Sequence, residues 1–255
     1  MSETARSTLP PRSSKVGLVI PVYGENEAIG PLLSKVPSSQ VDTVCVVVDV
    51  PLRTVMRRLR KVAEQSGITV HIIKNRDRCG VGYCIRQGLE YLMSTDHAIV
   101  VVMAGNGKDN PTEIYRLIEP VLREDYAYVQ GSRYVEGGSW ERMPLVRMVF
   151  NRLYPMLWTI VTGRRCTDVT NGYRCYRLDL LRDPRVNLEQ KWLNGYSLEY
   201  YLHYKALTLG YSVKEVPVSK TYPYGNKGGY SKIQPLKDWW PILSPLILLF
   251  FQVRS

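Results

Sequence analysis

The stretch that most constrains the fold is 97–111, HAIVVVMAGNGKDNP. Ile99 to Met103 form an uninterrupted apolar, largely β-branched run, the pattern of a strand buried on both faces of a parallel sheet. The run stops at a polar turn, and Pro111 stands where it can open a helix at its first position. In open α/β sheets the binding crevice lies beyond the carboxyl ends of the strands. The stretch therefore predicts that Ala104 to Asn110 line a ligand site, although an ordinary strand-to-helix connection has the same local pattern.

The rest of the chain repeats this unit. Val16 to Tyr23 reads as a strand, and Ile29, Leu32, Leu33 and Val36 give helical spacing to Glu25–Val36. A strand at Val41–Asp49 precedes a helix over Leu52–Ala63 that Gly67 closes, then a strand at Ile68–Ile73. Gly80–Met93 and Pro111–Arg123 read as helices, and Tyr126–Gln130 as a short strand. Repeated strand-helix-strand units imply right-handed crossovers and a doubly wound, mostly parallel Rossmann-like sheet with helices on both faces.

At 255 residues and 45% hydrophobic content, the chain can bury one good α/β core. The expected organisation is a disordered lead-in over 1–14, one α/β domain over 15–220, and a loop with an interfacial membrane segment over 221–255. The lead-in, rich in Ser, Thr, Pro and Arg, lacks the apolar core of a signal peptide. The 5 cysteines form no C-x-x-C pair and read as reduced, buried thiols of a cytosolic protein. A net charge of +11 points to anionic partners: phosphorylated small molecules, an acidic membrane surface or nucleic acid. No nucleic-acid module is recognisable, and Arg53, Arg57, Arg58, Arg60 and Lys61 on one predicted helix read as a solvated face.

The motifs PVYGE, a strand ending in Asp49, NRDRCGVG, VVVMAGNGKDNP, GSRYVEGG, TDVTNGYRCYR, GYSLEYYLHYKALTLGYSVKEVPV and GYSK follow in order. Together, over roughly Val16 to Lys232, they resemble family 2 glycosyltransferases, nearest to the dolichyl- and polyprenyl-phosphate sugar synthases. The resemblance implies a GT-A fold, a nucleotide-diphosphate sugar donor, a polyprenyl phosphate acceptor and inversion at the sugar carbon.

Pro21, Tyr23 and Glu25 at the end of the first strand and Asp49 at the end of the second lie at the switch edge, where the carboxylates could accept hydrogen bonds from base or ribose. In the resembled family, matching positions hold the nucleotide, although the usual Asp-Asp-Gly-Ser is here Asp49-Val50-Pro51. Gly80, Gly82 and Gly88, after Asn75 and Arg78, resemble the family's glycine turn that lets a helix pack close to the donor, and Arg78 and Gly82 are expected to bind the nucleotide sugar. Tight helix packing explains such a glycine equally well. The resemblance assigns the acceptor phosphate to Arg133 and Arg147, whose planar forks suit it; surface pairing of Arg133 with Glu136 or Glu141 is the plain alternative. Ser231 and Lys232 resemble a Ser-Lys pair near the phosphates, with Lys227 standing in for a missing arginine. Asp168, Thr170 and Glu199 are expected to organise the site, and His203 to serve as a second-shell or surface residue, not a base.

Two apolar segments bear on the acceptor. Met143–Thr162 fits a helix lying in a membrane interface or lining a lipid groove, or else a core helix kinked at Pro155. Trp239–Val253 is uncharged but falls short of the roughly 20 residues needed to cross a bilayer. Its tryptophans, with Lys237 and Arg254 on its flanks, suggest an interfacial anchor at the cytoplasmic membrane face. A homo-oligomer, or packing back on the domain, are other arrangements it would allow.

The chain departs from the resembled family at AGNGKDNP. The usual Asp-x-Asp that holds Mg²⁺ or Mn²⁺, and the following Gln, are replaced by Ala104, Asn106 and Lys108. Hard cations want anionic oxygens, and an ammonium repels them. The expected catalytic set is therefore Lys108 supplying positive charge, Asn106 donating to a phosphate, and Asp109 orienting the lysine or, with Asn106, retaining a weak metal. Two rivals remain: a transferase for a soluble hydroxyl acceptor with Asp109 as base, and a non-catalytic nucleotide-sugar or phospholipid binder.

Overall fold

The computed structural model describes residues 14–23, 28–222 and 239–251; Glu25, Lys227, Ser231 and Lys232 lie outside the described residues. In chain order the elements are β1 (Lys15–Tyr23), α1 (Ile29–Leu33), β2 (Thr43–Asp49), α2 (Arg53–Gln65), β3 (Thr69–Asn75), α3 (Val81–Met93) and β4 (His97–Val102). A 3-10 turn, Pro111–Glu113, leads into α4 (Ile114–Arg123), followed by β5 (Tyr128–Ser132), β6 (Ser139–Glu141), α5 (Leu145–Thr162), β7 (Arg174–Arg177) and α6 (Leu178–Leu181). A second 3-10 turn, Lys191–Asn194, precedes α7 (Ser197–Thr208), β8 (Val213–Pro217), β9 (Ser219–Thr221) and α8 (Trp239–Phe250).

The main sheet has the order β3-β2-β1-β4-β7-β5-β8. β7 runs antiparallel to both neighbours, and the other pairings are parallel. The order reverses at β1, whose neighbours β2 and β4 leave on opposite sides, so the crevice expected of such sheets opens beyond Tyr23 and Val102. Because β7 is reversed, its amino end shares that edge: Arg174 pairs with Val102. The segment entering β7, the carboxyl end of β5 and the strand following β8 therefore converge on the loop after β4.

Alternate side chains of each central strand feed two cores. Leu18, Ile20, Val44 and Val46 pack under α1, α2 and α4, while Val19, Cys45 and Val47 pack under α3, α6 and α7. The continuous apolar runs thus meant what they promised, a sheet covered on both faces. Element ends moved where backbone chemistry intervened. The first helix is shorter than Glu25–Val36, because the chain leaves α1 at Ser34, whose hydroxyl donates to Pro31 O at 3.0 Å. The strand expected from Tyr126 begins at Tyr128, since Asp125 adopts a left-handed φ of 59° that keeps the next residues in the turn.

α5 joins both readings of its sequence. Asn151, Tyr154, Pro155 and Trp158 are buried toward α7, where Trp158 and Tyr200 stack at 5.9 Å. The opposite face leaves Leu145, Val146, Val149, Leu153, Met156 and Ile160 exposed, Ile160 at 77%. α8 docks on the domain through buried Leu246 and Leu249, and leaves Ile247, Phe250 and Phe251 exposed. No helix among the described residues is long and apolar enough to cross a membrane.

Candidate active site

The loop after β4 is strapped to two partners. On one side Met103 N and Gly105 N donate to Val19 O and Pro21 O of β1, at 3.0 and 3.2 Å. A Cβ on Gly105 would stand 2.9 Å from Pro21 O, so only glycine allows this approach. On the other side Thr221 N donates to Lys108 O at 2.9 Å, and Asp109 faces Lys220 across an isolated antiparallel bridge. Asn106, exposed, accepts Lys108 N on its Oδ1 at 3.1 Å, a local turn that leaves its amide N–H groups outward.

That bridge carries a buried ion pair. Lys220 Nζ lies 2.7 Å from Asp109 Oδ1 and donates to Asn171 Oδ1 at 2.8 Å, while Asn171 Nδ2 donates to Gly131 O at 3.0 Å. Asp109 therefore pairs with Lys220, which corrects the expectation that it orients Lys108. Asp109 Oδ2 is buried with no hydrogen-bond partner among the described residues.

A second knot surrounds Tyr222. Arg133 Nη1 donates to its hydroxyl at 3.0 Å and Arg142 Nε to its carbonyl at 2.7 Å. Lys108 Nζ lies 5.1 Å and the Arg147 guanidinium 5.4 Å from the ring centroid, within cation–π range. Burial, then the Arg147 and Lys220 charges, push the Lys108 ammonium down to about 8. Four cations thus meet at Tyr222: Lys108 and Arg147 at its ring, Arg133 at its hydroxyl and Arg142 at its carbonyl.

Arg133 is itself 1% exposed. Its Nε and Nη2 bind Asp168 Oδ2 and Oδ1 at 2.6 and 2.7 Å, and Nη2 also donates to Thr170 Oγ1 at 2.7 Å. Burial opposes the charge, yet Asp168 holds the guanidinium above its ordinary pKa. Arg133 thus pairs with Asp168, not with Glu136 or Glu141, and most of its donors are committed within the protein. Arg147, half-buried on α5, presents its fork more openly.

At the carboxyl end of β2, Asp49 is buried, and its carboxylate accepts Cys79 N at 2.9 Å and Gly80 N at 3.0 Å, fastening the turn before α3. The Arg78 guanidinium stacks 4.9 Å from the exposed Tyr23 ring at the crevice mouth. Gly82 is fixed by packing: a Cβ there would run into the carbonyl oxygens of Leu193 and Gly195. Glu199 is half-buried beside Gly172 and Arg174, and burial raises its pKa. His203 is a core residue, not a surface one. Its Nδ1 lies 3.1 Å from the Tyr128 hydroxyl, and burial, with Arg174, holds its pKa well down.

Asn171 belongs to the segment 168–172 before β7, whereas Lys220, Tyr222 and Arg142 join the site without a motif to mark them. A signal was present: Val216, Val218, Lys220 and Tyr222 alternate as buried positions along the extended segment that runs through β8 and β9.

The donor set does not fit the divalent metal that the Asp-x-Asp resemblance implied. Ala104 has no ligating atom, Asn106 Oδ1 is spent on Lys108 N, and Asp109 carries an ammonium on one oxygen. Among the described residues, no cluster of three or more His, Cys, Asp or Glu side chains could hold an ion.

Comparisons agree with this architecture. The chain is 28% identical over 206 residues to polyprenol monophosphomannose synthase of Mycolicibacterium smegmatis, covering 80% of this chain and 76% of the relative. It is 29% identical over 210 residues to undecaprenyl-phosphate mannosyltransferase of Micrococcus luteus, covering 80% and 83%. Haloferax volcanii dolichyl-phosphate hexose transferase is 24% identical over 223 residues, covering 86% and 87%. The fold is shared with glucosyl-3-phosphoglycerate synthase of Mycobacterium tuberculosis, solved with Mg²⁺ and uridine diphosphate, at a TM-score of 0.64 and 17% identity over 95% of this chain and 81% of that one. Residues 18–183 match the family described as glycosyl transferase family 2. With the crevice at the sheet reversal and the motifs of the whole domain in place, this chain belongs to glycosyl transferase family 2, and is a glycosyltransferase of GT-A-like α/β fold.

Proposed function

We propose that this protein moves a sugar from a nucleotide-diphosphate sugar to a polyprenyl phosphate, with inversion, at the cytoplasmic face of a membrane. One observation carries the reading: Arg147 reaches the cation cluster at Tyr222 from the same helix, α5, that turns an apolar face outward. A lipid lying on that face would deliver its phosphate to Arg147. The relatives named for polyprenyl phosphate acceptors support the same substrate class.

In this account a phosphate oxygen of the acceptor attacks the anomeric carbon as the bond to the donor's diphosphate breaks, and the nucleoside diphosphate leaves. A phosphate monoester has a second pKa of about 6, so near neutral pH its attacking oxygen needs no base. That suits a site whose buried loop acid, Asp109, already holds Lys220. Arg147 binds and orients the acceptor, with Arg133 holding Tyr222 beneath it and keeping its remaining N–H for the phosphate. Asp168 and Thr170 fix Arg133; Glu199 supports the floor. Tyr23, Arg78 and the crevice around Pro21 take the base and ribose, with Glu25, Asp49 and the turn before α3 shaping that end. Ser231 and Lys232, in the 221–255 segment that follows the 15–220 domain, are assigned to the phosphates.

The membrane surface is anionic in this reading. Arg152, Arg164 and Arg165 are exposed along and just beyond α5, where they would meet lipid headgroups while its apolar face enters the interface. α8 adds Ile247, Phe250 and Phe251. A variant ending at Asp238 is expected to move from anionic liposomes to the soluble fraction in a flotation assay; unchanged flotation would remove α8 from the membrane contact. The activity itself is tested by offering a panel of nucleotide sugars with a short polyprenyl phosphate or a soluble hydroxyl acceptor. Sugar on the lipid supports the proposal, and sugar only on the hydroxyl acceptor overturns it.

A further inference from the structure

We propose that Lys220, clamped between Asp109 and Asn171, is the built-in cation that meets the leaving diphosphate, with Lys108 beside it, so that donor binding and departure need no divalent metal ion. This rests on the proposed donor class, a nucleotide-diphosphate sugar. A leaving diphosphate requires compensating positive charge, which a fixed ammonium supplies as a metal would. In the loop after β4 the one acid, Asp109, is already neutralised, at 2.7 Å, by an ammonium from the strand after β8. The pair is fixed by more than charge: its two backbones face each other in an antiparallel bridge, and the Asn171 amide oxygen fixes Lys220 at 2.8 Å. A dication between carboxylates is also close to neutral as a unit; what it offers an anion is a cation held in one place. Lys220 has that property, and an ammonium has a further N–H to give beyond these two contacts.

Lys108 adds a second ammonium close enough to Lys220 and Arg147 to feel both charges. Its carbonyl is held by Thr221 N at 2.9 Å, which sets its side chain over the Tyr222 ring near Arg147. Lys220, Lys108 and Arg147 then bracket the place where the donor's diphosphate must end and the acceptor's phosphate must begin.

The test is calorimetric binding of UDP, GDP and dTDP to the full-length protein in excess EDTA, repeated with Mg²⁺ or Mn²⁺ in place of chelator. At least one diphosphate is expected to bind in EDTA, with added metal changing its affinity less than about threefold. Lys108→Gln, at a half-buried position, should weaken that binding about 10- to 100-fold. So should the double variant Asp109→Asn with Lys220→Met, which removes both buried charges together and strands neither. Binding that disappears in EDTA and returns with Mn²⁺ overturns the inference while leaving the donor class intact. Wild-type affinity in the double variant, or in Lys108→Gln should the double variant not fold, also overturns it. Absence of binding to any diphosphate under both conditions sinks the donor class, and the inference with it.

Discussion

Arg133→Ala is expected to lower folding stability by about 3–5 kcal/mol, the usual cost of removing one partner from a buried ion pair. The pair is the driest among the described residues, with side-chain exposures of 1% for Arg133 and 0% for Asp168. The substitution would leave the Asp168 carboxylate with its Thr170 and backbone contacts but no counter-charge, and would release the Tyr222 hydroxyl. Against a total stability of about 5–15 kcal/mol this is a large fraction. Equilibrium denaturation reads the effect directly. The double variant Arg133→Ala with Asp168→Ala should be less destabilised than the sum of the two single changes, because the stranded charge is gone. An Arg133→Ala protein within about 0.5 kcal/mol of wild type would show that the pair is not a structural support.

Arg147→Ala should instead spare the fold and strike the acceptor. Its guanidinium is half-buried, packs 5.4 Å from the Tyr222 ring and forms no salt bridge among the described residues, so truncation strands no acid there. Loss of a charge-assisted contact to a phosphate in a desolvated site is expected to cost about 2–4 kcal/mol, tens- to several-hundred-fold in kcat/KM for the lipid phosphate. Nucleoside diphosphate affinity should stay near wild type, since that task falls to Lys108 and Lys220. A fall in donor affinity with unchanged acceptor kinetics would mean that Arg147 faces the other substrate. Together the two arginines separate support from contact: one variant should fail by melting, the other by kinetics.

Much of this fold was legible in the chain because its central strands are one-sided signals. Ile99 to Met103 and Val44 to Val48 have no polar alternation, which only a sheet covered on both faces tolerates, and Pro111 begins its helical turn where the sequence placed it. What was not legible depends on contacts between distant segments. β7 is four residues long, and its reversed direction is set by pairing with β4 and β5, not by composition. Arg133 reads locally as a surface cation ready for a ligand, and only the folded chain brings Asp168 to it. The same holds for Asp109 and Lys220, separated by 111 positions. Lys108 was visible because it replaces an expected ligand within one loop; Lys220 was hidden because its neighbour is tertiary. Tyr222 was hidden for a different reason: a buried tyrosine at the end of an alternating strand looks like core, and only the cations around it mark it as part of a site.

The account's central claim is that the sugar is joined to a lipid phosphate by displacement at its anomeric carbon. The measurement that tests it most directly is phosphorus NMR, with mass spectrometry, of the lipid recovered after incubation with nucleotide sugar, short polyprenyl phosphate and the full-length protein. The account predicts conversion of the phosphate monoester signal to a phosphodiester bearing one hexose, with the anomeric configuration opposite to that of the donor. An unchanged monoester signal while the donor is consumed, with the hexose found free or on a hydroxyl, would contradict it.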